Sequence, residues 1–231
     1  MKTIGLLGGM SWESSLEYYR IINETAKARL GGLHNAKSLM YTVDFAQIEH
    51  FQHAGEWDKA SEVLVDAARS LERASADCLV LCTNTMHKVA SSIESAVSIP
   101  FIHIADATAA QVKANGLTRI GLLGTAFTME QEFYKGRLTD QHGLEVIVPN
   151  EADRQIVHRV IYDELCLGMV KPESKLEYVR IMQELVKNGA QGIILGCTEI
   201  MLLVGQDDSS VPVFDTTTIH AVAAVDFALE G

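Results

Sequence analysis

At 231 residues the chain is long enough for two modest domains or one large one. It is 48% hydrophobic and 21% charged, a globular composition, and no apolar run reaches the roughly 18–20 residues of a membrane helix. A net charge of −11 with only 19 Lys and Arg argues against a nucleic-acid or anionic-membrane surface, which needs clustered cations. An acidic small molecule needs only a few local donors and stays open. The first nine residues lack a long apolar core and a cleavage site, so they read as a strand rather than a signal peptide, and a cytoplasmic location is expected. Cys78, Cys82, Cys166 and Cys197 form no CxxC and no Cys/His spacing for a metal, and a cytosolic chain is not expected to pair them in disulfides.

In chain order, residues 3–8 read as a short buried strand ended by glycine. A tight Gly8-Gly9-Met10-Ser11 turn follows. Ser14 and Glu17 have capping-box spacing and open a helix with Leu16, Tyr19, Ile22, Ala26 and Leu30 on one stripe. A second strand spans 39–45. Residues 46–55, with His50, Gln52 and His53, read as irregular. A helix runs from about Asp58 to Ser75, a strand over 78–82, a helix from about Asn84 to Ala96, and a strand over 99–103. A helix over about 106–115 ends at Gly116. This alternation predicts an α/β fold of mainly parallel strands flanked by helices.

The second half repeats the first. Arg119-Ile120-Gly121-Leu122-Leu123-Gly124-Thr125 matches residues 3–9 at an offset of 116. Ala190 to Glu199 matches Ala76 to Thr85 at 114, and Val211 to Thr216 matches Ile99 to Ile104 at 112. Tyr18 falls on Tyr134, and Thr128 with Gln131 repeats the capping-box spacing. Parallel strands resemble one another in composition, but that does not account for three blocks in order. The expectation is an internal duplication giving two pseudo-symmetric domains.

Ligands of open α/β sheets bind beyond the carboxyl ends of the strands, where helix N-termini present free N–H groups. Gly8–Ser11, Thr83–Thr85, Gly124–Thr125 and Cys197–Glu199 all fall at such ends. Two units facing each other would bring these tips to one cleft, with Thr83 and Cys197 on opposite walls. Proton-handling groups on two faces of a carbon are what stereo-inversion needs. Cys197, at a strand end before a helix, suits a thiolate, because helix N-termini lower a thiol's pKa. Cys82 is one residue out of phase: at the 114 offset it pairs with Gly196, and a one-residue shift turns a side chain to the other face. Glu199 is placed to bond Cys197 or its loop, or simply to suit a helix dipole. His87 and His220 read as structural, and the lack of GxGxxG spacing argues against a dinucleotide.

These residues resemble the aspartate/glutamate racemase family, which uses no pyridoxal phosphate. The likeness covers the whole chain and rests on Gly5-Leu6-Leu7-Gly8-Gly9-Met10-Ser11, Asn84-Thr85-Met86-His87, Gly124-Thr125 and, most specifically, Gly196-Cys197-Thr198-Glu199. The family's pattern has a cysteine directly before the Asn-Thr pair, and here that residue is Thr83. The resemblance implies catalysis without cofactor or metal, with Cys197 as thiolate base and Thr83 as opposing proton donor or relay. It implies substrate contacts from Met10, Gln52, Asn84, Thr85, Thr198 and Glu199, and a bias toward L-aspartate or L-glutamate. The family's distal-carboxylate lysine has Cys166 as its equivalent here, with Gln52 and His53 as substitutes.

The resemblance also implies a homodimer, a dicarboxylate substrate with no nucleic-acid or membrane partner, and a last helix that crosses back onto the first domain. The expected domains are 1–102 with 215–231, and 103–214, with the active site between them. Two alternatives stand beside this reading: another cofactor-free cysteine enzyme such as a hydantoin racemase or maleate isomerase, and a non-catalytic amino-acid-binding module.

Overall fold

The computed structural model describes residues 1–230, which divide into two compact units: Met1–His103 with the chain end from His220 onward, and Ile104–Ile219. In the first unit the elements are β1 (Ile4–Gly8), α1 (Trp12–Leu30), β2 (Ser38–Thr42), α2 (Phe45–Ala54), α3 (Trp57–Arg73), β3 (Cys78–Leu81), a 3-10 turn (Thr85–Val89), α4 (Ala90–Ala96) and β4 (Phe101–Ile102). All strands pair in parallel in the order β2-β1-β3-β4. Every residue of β1 and β3 is buried, so the central strands read as unbroken apolar runs, as parallel sheets covered on both faces require. From α3, Ala60, Leu64, Ala67, Ala68 and Leu71 cover the sheet.

The second unit holds α5 (Ile104–Ala114), β5 (Arg119–Gly124), α6 (Ala126–Glu130), α7 (Glu132–Gly136), a π turn (Arg137–Gln141), β6 (Glu145–Ile147), α8 (Glu151–Asp163), α9 (Pro172–Lys187), β7 (Ile193–Gly196) and β8 (Val213–Asp215). Its sheet is also parallel, in the order β6-β5-β7-β8. The final helix, α10 (Thr216–Leu229), begins in this unit and ends in the first. No helix among the described residues is long and apolar enough to cross a membrane.

The duplication holds at the level of register. Gly5 pairs with Leu79 and Leu7 with Leu81; Gly121 pairs with Ile193 and Leu123 with Leu195. Leu79 pairs with Phe101, and Ile193 with Val213. Each pair in one sheet becomes its counterpart in the other at the three offsets read from the sequence.

Several local expectations are corrected. The cap of α1 is Ser11, whose hydroxyl accepts from Ser14 N, so the helix starts before the Ser14/Glu17 box. Its buried face is Ser14, Ser15, Tyr18, Ile21, Ile22 and Ala26, while Leu16, Tyr19 and Leu30 are exposed. Small side chains face inward because the sheet approaches closely: a Cβ on Gly8 would lie 2.5 Å from Ser15 Oγ. In the second unit Thr125 caps α6, rather than the Thr128/Gln131 box, and a break at Gln131 divides the counterpart of α1. Residues 46–55 are not irregular. They lie in α2, capped by Asp44 and ended by Gly55 in the left-handed region, with Ile48 and Gln52 buried one turn apart. Strand two stops at Thr42, three residues short of its expected end.

The chain end belongs to the first unit through specific bonds. Lys2 N donates to Ala228 O at 2.9 Å, and Arg29 pairs with Asp226 at 3.0 Å. His220 is fully buried; its Nε2–H donates to Ile102 O at 2.7 Å and its Nδ1 accepts from Tyr18 Oη at 2.8 Å. Burial pulls its pKa from 6.5 to about 4, against the opposing effect of the Ile102 bond. The unfolded chain therefore binds a proton near pH 6.5 that the fold refuses until about pH 4. Stability is full above that window and declines as pH falls through it, by on the order of 3 kcal/mol. Urea midpoints measured at pH 7 and pH 5 should fall with acid. His220→Gln should start lower at pH 7 but fall less over the same interval; an equal fall in both proteins refutes the assignment.

Candidate active site

The carboxyl edge of the first sheet is built from the turn after β1 and the segment after β3. Gly9 has φ +93°, and a Cβ there would meet Val43 O at 2.3 Å, so only glycine fits. Gly9 N donates to Ser15 Oγ at 2.8 Å, which in turn donates to Ser11 O at 2.8 Å. Ser14 Oγ donates to Cys82 O at 3.4 Å, tying α1 to the residue before Thr83. Thr83, Asn84 and Thr85 are all buried. Thr83 O accepts from His87 Nδ1 at 2.7 Å. No helix-capping bond comes from the side chain at the start of the 3-10 turn. The expected α-helix over 84–96 is thus a 3-10 turn followed by the short α4.

Met10 and Gln52 come to the same edge. Met10 is buried in one apolar cluster with Val43, Ile48 and Met86, and Gln52 Nε2 donates to Met86 Sδ at 3.0 Å, next to Thr85. His53 does not join them. It lies on the exposed side of α2 and pairs with Glu49 at 2.9 Å.

In the second unit, Cys197 is the first residue beyond β7. Its Sγ donates to Glu199 Oε2 at 2.9 Å, and Thr198 Oγ1 donates to the same oxygen at 3.0 Å. Glu199 is 1% exposed. The loop is braced from α10, where Thr216 Oγ1 donates to Leu195 O at 2.7 Å and Thr217 Oγ1 to Thr198 O at 3.2 Å. At the neighbouring tip, His158 Nδ1 accepts from Ala126 N at 3.1 Å. The sequence reading gave no role to His158, Thr216 or Thr217: Thr216 closes the third repeated block and Thr217 follows it, but their bonds to Leu195 O and Thr198 O, like that of His158 to Ala126 N, are made only in the fold.

The protonation state of Cys197 is a correction. Burial, then the Glu199 carboxylate, push its thiol well above the ordinary range. The segment after it is a single 3-10 turn, Ile200–Leu202, too short to lend the helix dipole that the sequence suggested. The resting group is therefore a thiol whose hydrogen already points at a buried carboxylate. Cys82 is fully buried, raised by burial alone, and sits on the ladder, with its N–H on Leu7 O at 2.9 Å. Cys78, also buried, rises to about 11. Cys166 is half-buried and packs against the cluster that contains Cys197.

The chain supplies a thiol–carboxylate pair after one central strand and a hydroxyl at the register-equivalent place after the other. Among the described residues, no group of three or more His, Cys, Asp or Glu could hold a metal ion.

Comparison with known proteins agrees with this architecture. A family model described as Asp/Glu/Hydantoin racemase matches residues 7–224. A Yersinia pestis structure described as that of a proposed Asp/Glu racemase is 58% identical, with all of both chains covered and a TM-score of 0.93. An aspartate racemase homologue from Pyrococcus horikoshii is 35% identical over all of both chains, with a TM-score of 0.86. Among curated sequences, a broad-specificity amino-acid racemase from Bacillus subtilis is 24% identical over 73% of this chain and 72% of its own length.

Removing the Glu199 charge should ease ionisation of Cys197. With iodoacetamide as probe, Glu199→Gln should shift the pH profile of Cys197 alkylation to lower pH than wild type, while Cys82 stays unlabelled in the native protein. A profile that does not move, or moves upward, refutes the coupling.

Proposed function

The chain belongs to the Asp/Glu/hydantoin racemase family, and from that premise we propose that it inverts the α-carbon of aspartate or glutamate without a cofactor, with Cys197 working on the L-enantiomer. The observation that carries the reading is the Cys197–Glu199 bond, together with Thr83 at the matching place beyond β3. The thiol passes its proton to Glu199, and the thiolate takes the α-hydrogen of the L-substrate. The electron pair left on the α-carbon spreads into the α-carboxylate. Backbone N–H groups and the Asn84 and Thr85 side chains stabilise that charge. Thr83 delivers a proton to the opposite face and solvent restores its hydroxyl, while Glu199 releases the proton it took from Cys197 to solvent, so that the site returns to its starting state. Gln52 is the donor assigned to the distal carboxylate, and Met10 walls the site. Thr198 acts through Glu199, to which its hydroxyl is bonded.

The two ends are unequal in chemistry. A hydroxyl is a far weaker base than a thiolate, so abstraction from the D-enantiomer is slow. Enantiomers have equal free energy, so net inversion has the same kcat/KM in both directions. The asymmetry must instead appear in α-hydrogen exchange, which Cys197 can perform on L-substrate alone.

In heavy water the L-enantiomer should lose its α-hydrogen at least ~10-fold faster than the D-enantiomer, the span of one step in thiolate advantage. Equal initial rates refute the asymmetry, and no exchange from either enantiomer refutes the racemase reading. Thr83→Cys should raise exchange from the D-enantiomer; an unchanged rate counts against Thr83 as the opposing group.

A further inference from the structure

The first unit buries three of the chain's eight histidines around the segment that carries Thr83. They come from distant parts of the chain: His87 from the 3-10 turn, His103 from the position after β4, and His220 from α10. The His87 ring lies edge-on to His103 at a centroid distance of 4.4 Å, to Phe101 at 5.5 Å and to His220 at 5.9 Å. Nothing in the proposed chemistry uses these groups directly.

Their hydrogen bonds give them directions. Thr83 O can only accept, so the 2.7 Å contact places a proton on His87 Nδ1. His220 carries its proton on Nε2, toward Ile102 O. Its Nδ1 is left to accept from Tyr18 Oη. The backbone N–H of His87 goes to Asn84 O at 3.1 Å, so it is the ring of this residue that reaches Thr83 O. A buried carbonyl without a donor is destabilising, and the His87 ring supplies a donor to Thr83 O. The ring in turn is wedged among groups that the chain end helps to hold.

We propose that His87 is a positioning residue for Thr83: its Nδ1–H bond to Thr83 O, backed by His103, Phe101 and the His220 of the last helix, sets where the Thr83 hydroxyl stands. This rests on the reading of Thr83 as the proton-delivering group. Misplacement of a reacting group by about 1 Å can cost on the order of 100-fold. The Cys197 half of the reaction belongs to the other unit and does not depend on this bond.

Two substitutions separate the bond from the bulk. His87→Asn keeps an N–H donor near the Nδ1 position but loses the ring; His87→Leu keeps an apolar side chain but has no donor. Each is measured for inversion of L-aspartate and L-glutamate, for α-hydrogen exchange from the same substrates, and for backbone amide protection over residues 82–90 by hydrogen exchange. The result expected is that His87→Leu loses at least ~10-fold in inversion but under ~3-fold in exchange from the L-substrate, with protection lost in that segment alone. His87→Asn recovers most of both inversion and protection. The proposal is overturned if His87→Leu retains wild-type inversion, if inversion and exchange fall together, or if Asn rescues no better than Leu. The amide protection is read without substrate. If protection follows the donor while the wild-type protein exchanges no α-hydrogen, the bond stands and the racemase reading fails; if the wild type racemises and protection ignores the donor, the reverse holds.

Discussion

The structure depends on the parallel ladder between β1 and β3 and on its copy between β5 and β7. The β1–β3 ladder ends at Leu7–Leu81 and the β5–β7 ladder one rung further, at Gly124–Gly196; Thr83 and Cys197 each lie two residues after the equivalent pairs Leu7–Leu81 and Leu123–Leu195. The side-chain period of a strand is two, so register decides which face each residue takes. Beyond β3 the chain turns at once, with Thr83 N on Leu81 O at 2.8 Å, and Cys82 is fully buried. Glycines keep the rim narrow. Gly9 passes against Val43 O, and Gly124 against Gly196 O, where added Cβ atoms would lie at 2.3 and 2.8 Å.

The electrostatics of the second rim invert the simplest picture of a reactive cysteine. Desolvation favours the neutral thiol, and a buried carboxylate next to it favours the neutral form further. The same carboxylate is an acceptor at hydrogen-bond distance. A pair of this kind keeps the sulfur protonated at rest and gives its proton a local acceptor. Thr198 shares the Glu199 oxygen, and Thr216 and Thr217 hold the backbone on either side. At the place matching Glu199 the first rim carries Thr85. There the Thr83 carbonyl is held by an imidazole, and the duplicated backbones therefore carry unlike chemistry.

Much of the fold was legible because apolar runs and their offsets survive as a linear signal. Strands 4–8, 78–81, 119–124 and 193–196 all fall within a residue or two of their expected places. The helix over 45–54 was obscured by its polar residues. Its evidence was the Asp44 cap and the one-turn spacing of Ile48 and Gln52. The stripe chosen for α1 failed for a different reason. Leu16 and Tyr19 are more apolar than Ser14 and Ser15, but the sheet approaches too closely to admit them, and close approach is not written in hydropathy.

The sequence by itself determined the α/β class, the duplication with its three offsets and the matching of Thr83 with Cys197 rather than Cys82. These are properties of spacing along one chain. Only the tertiary structure decided the state of the Cys197 thiol, the bond that joins it to Glu199, and the convergence of His87, His103 and His220 behind Thr83. Those depend on desolvation and on contacts between residues as many as 133 positions apart. A linear pattern records neither.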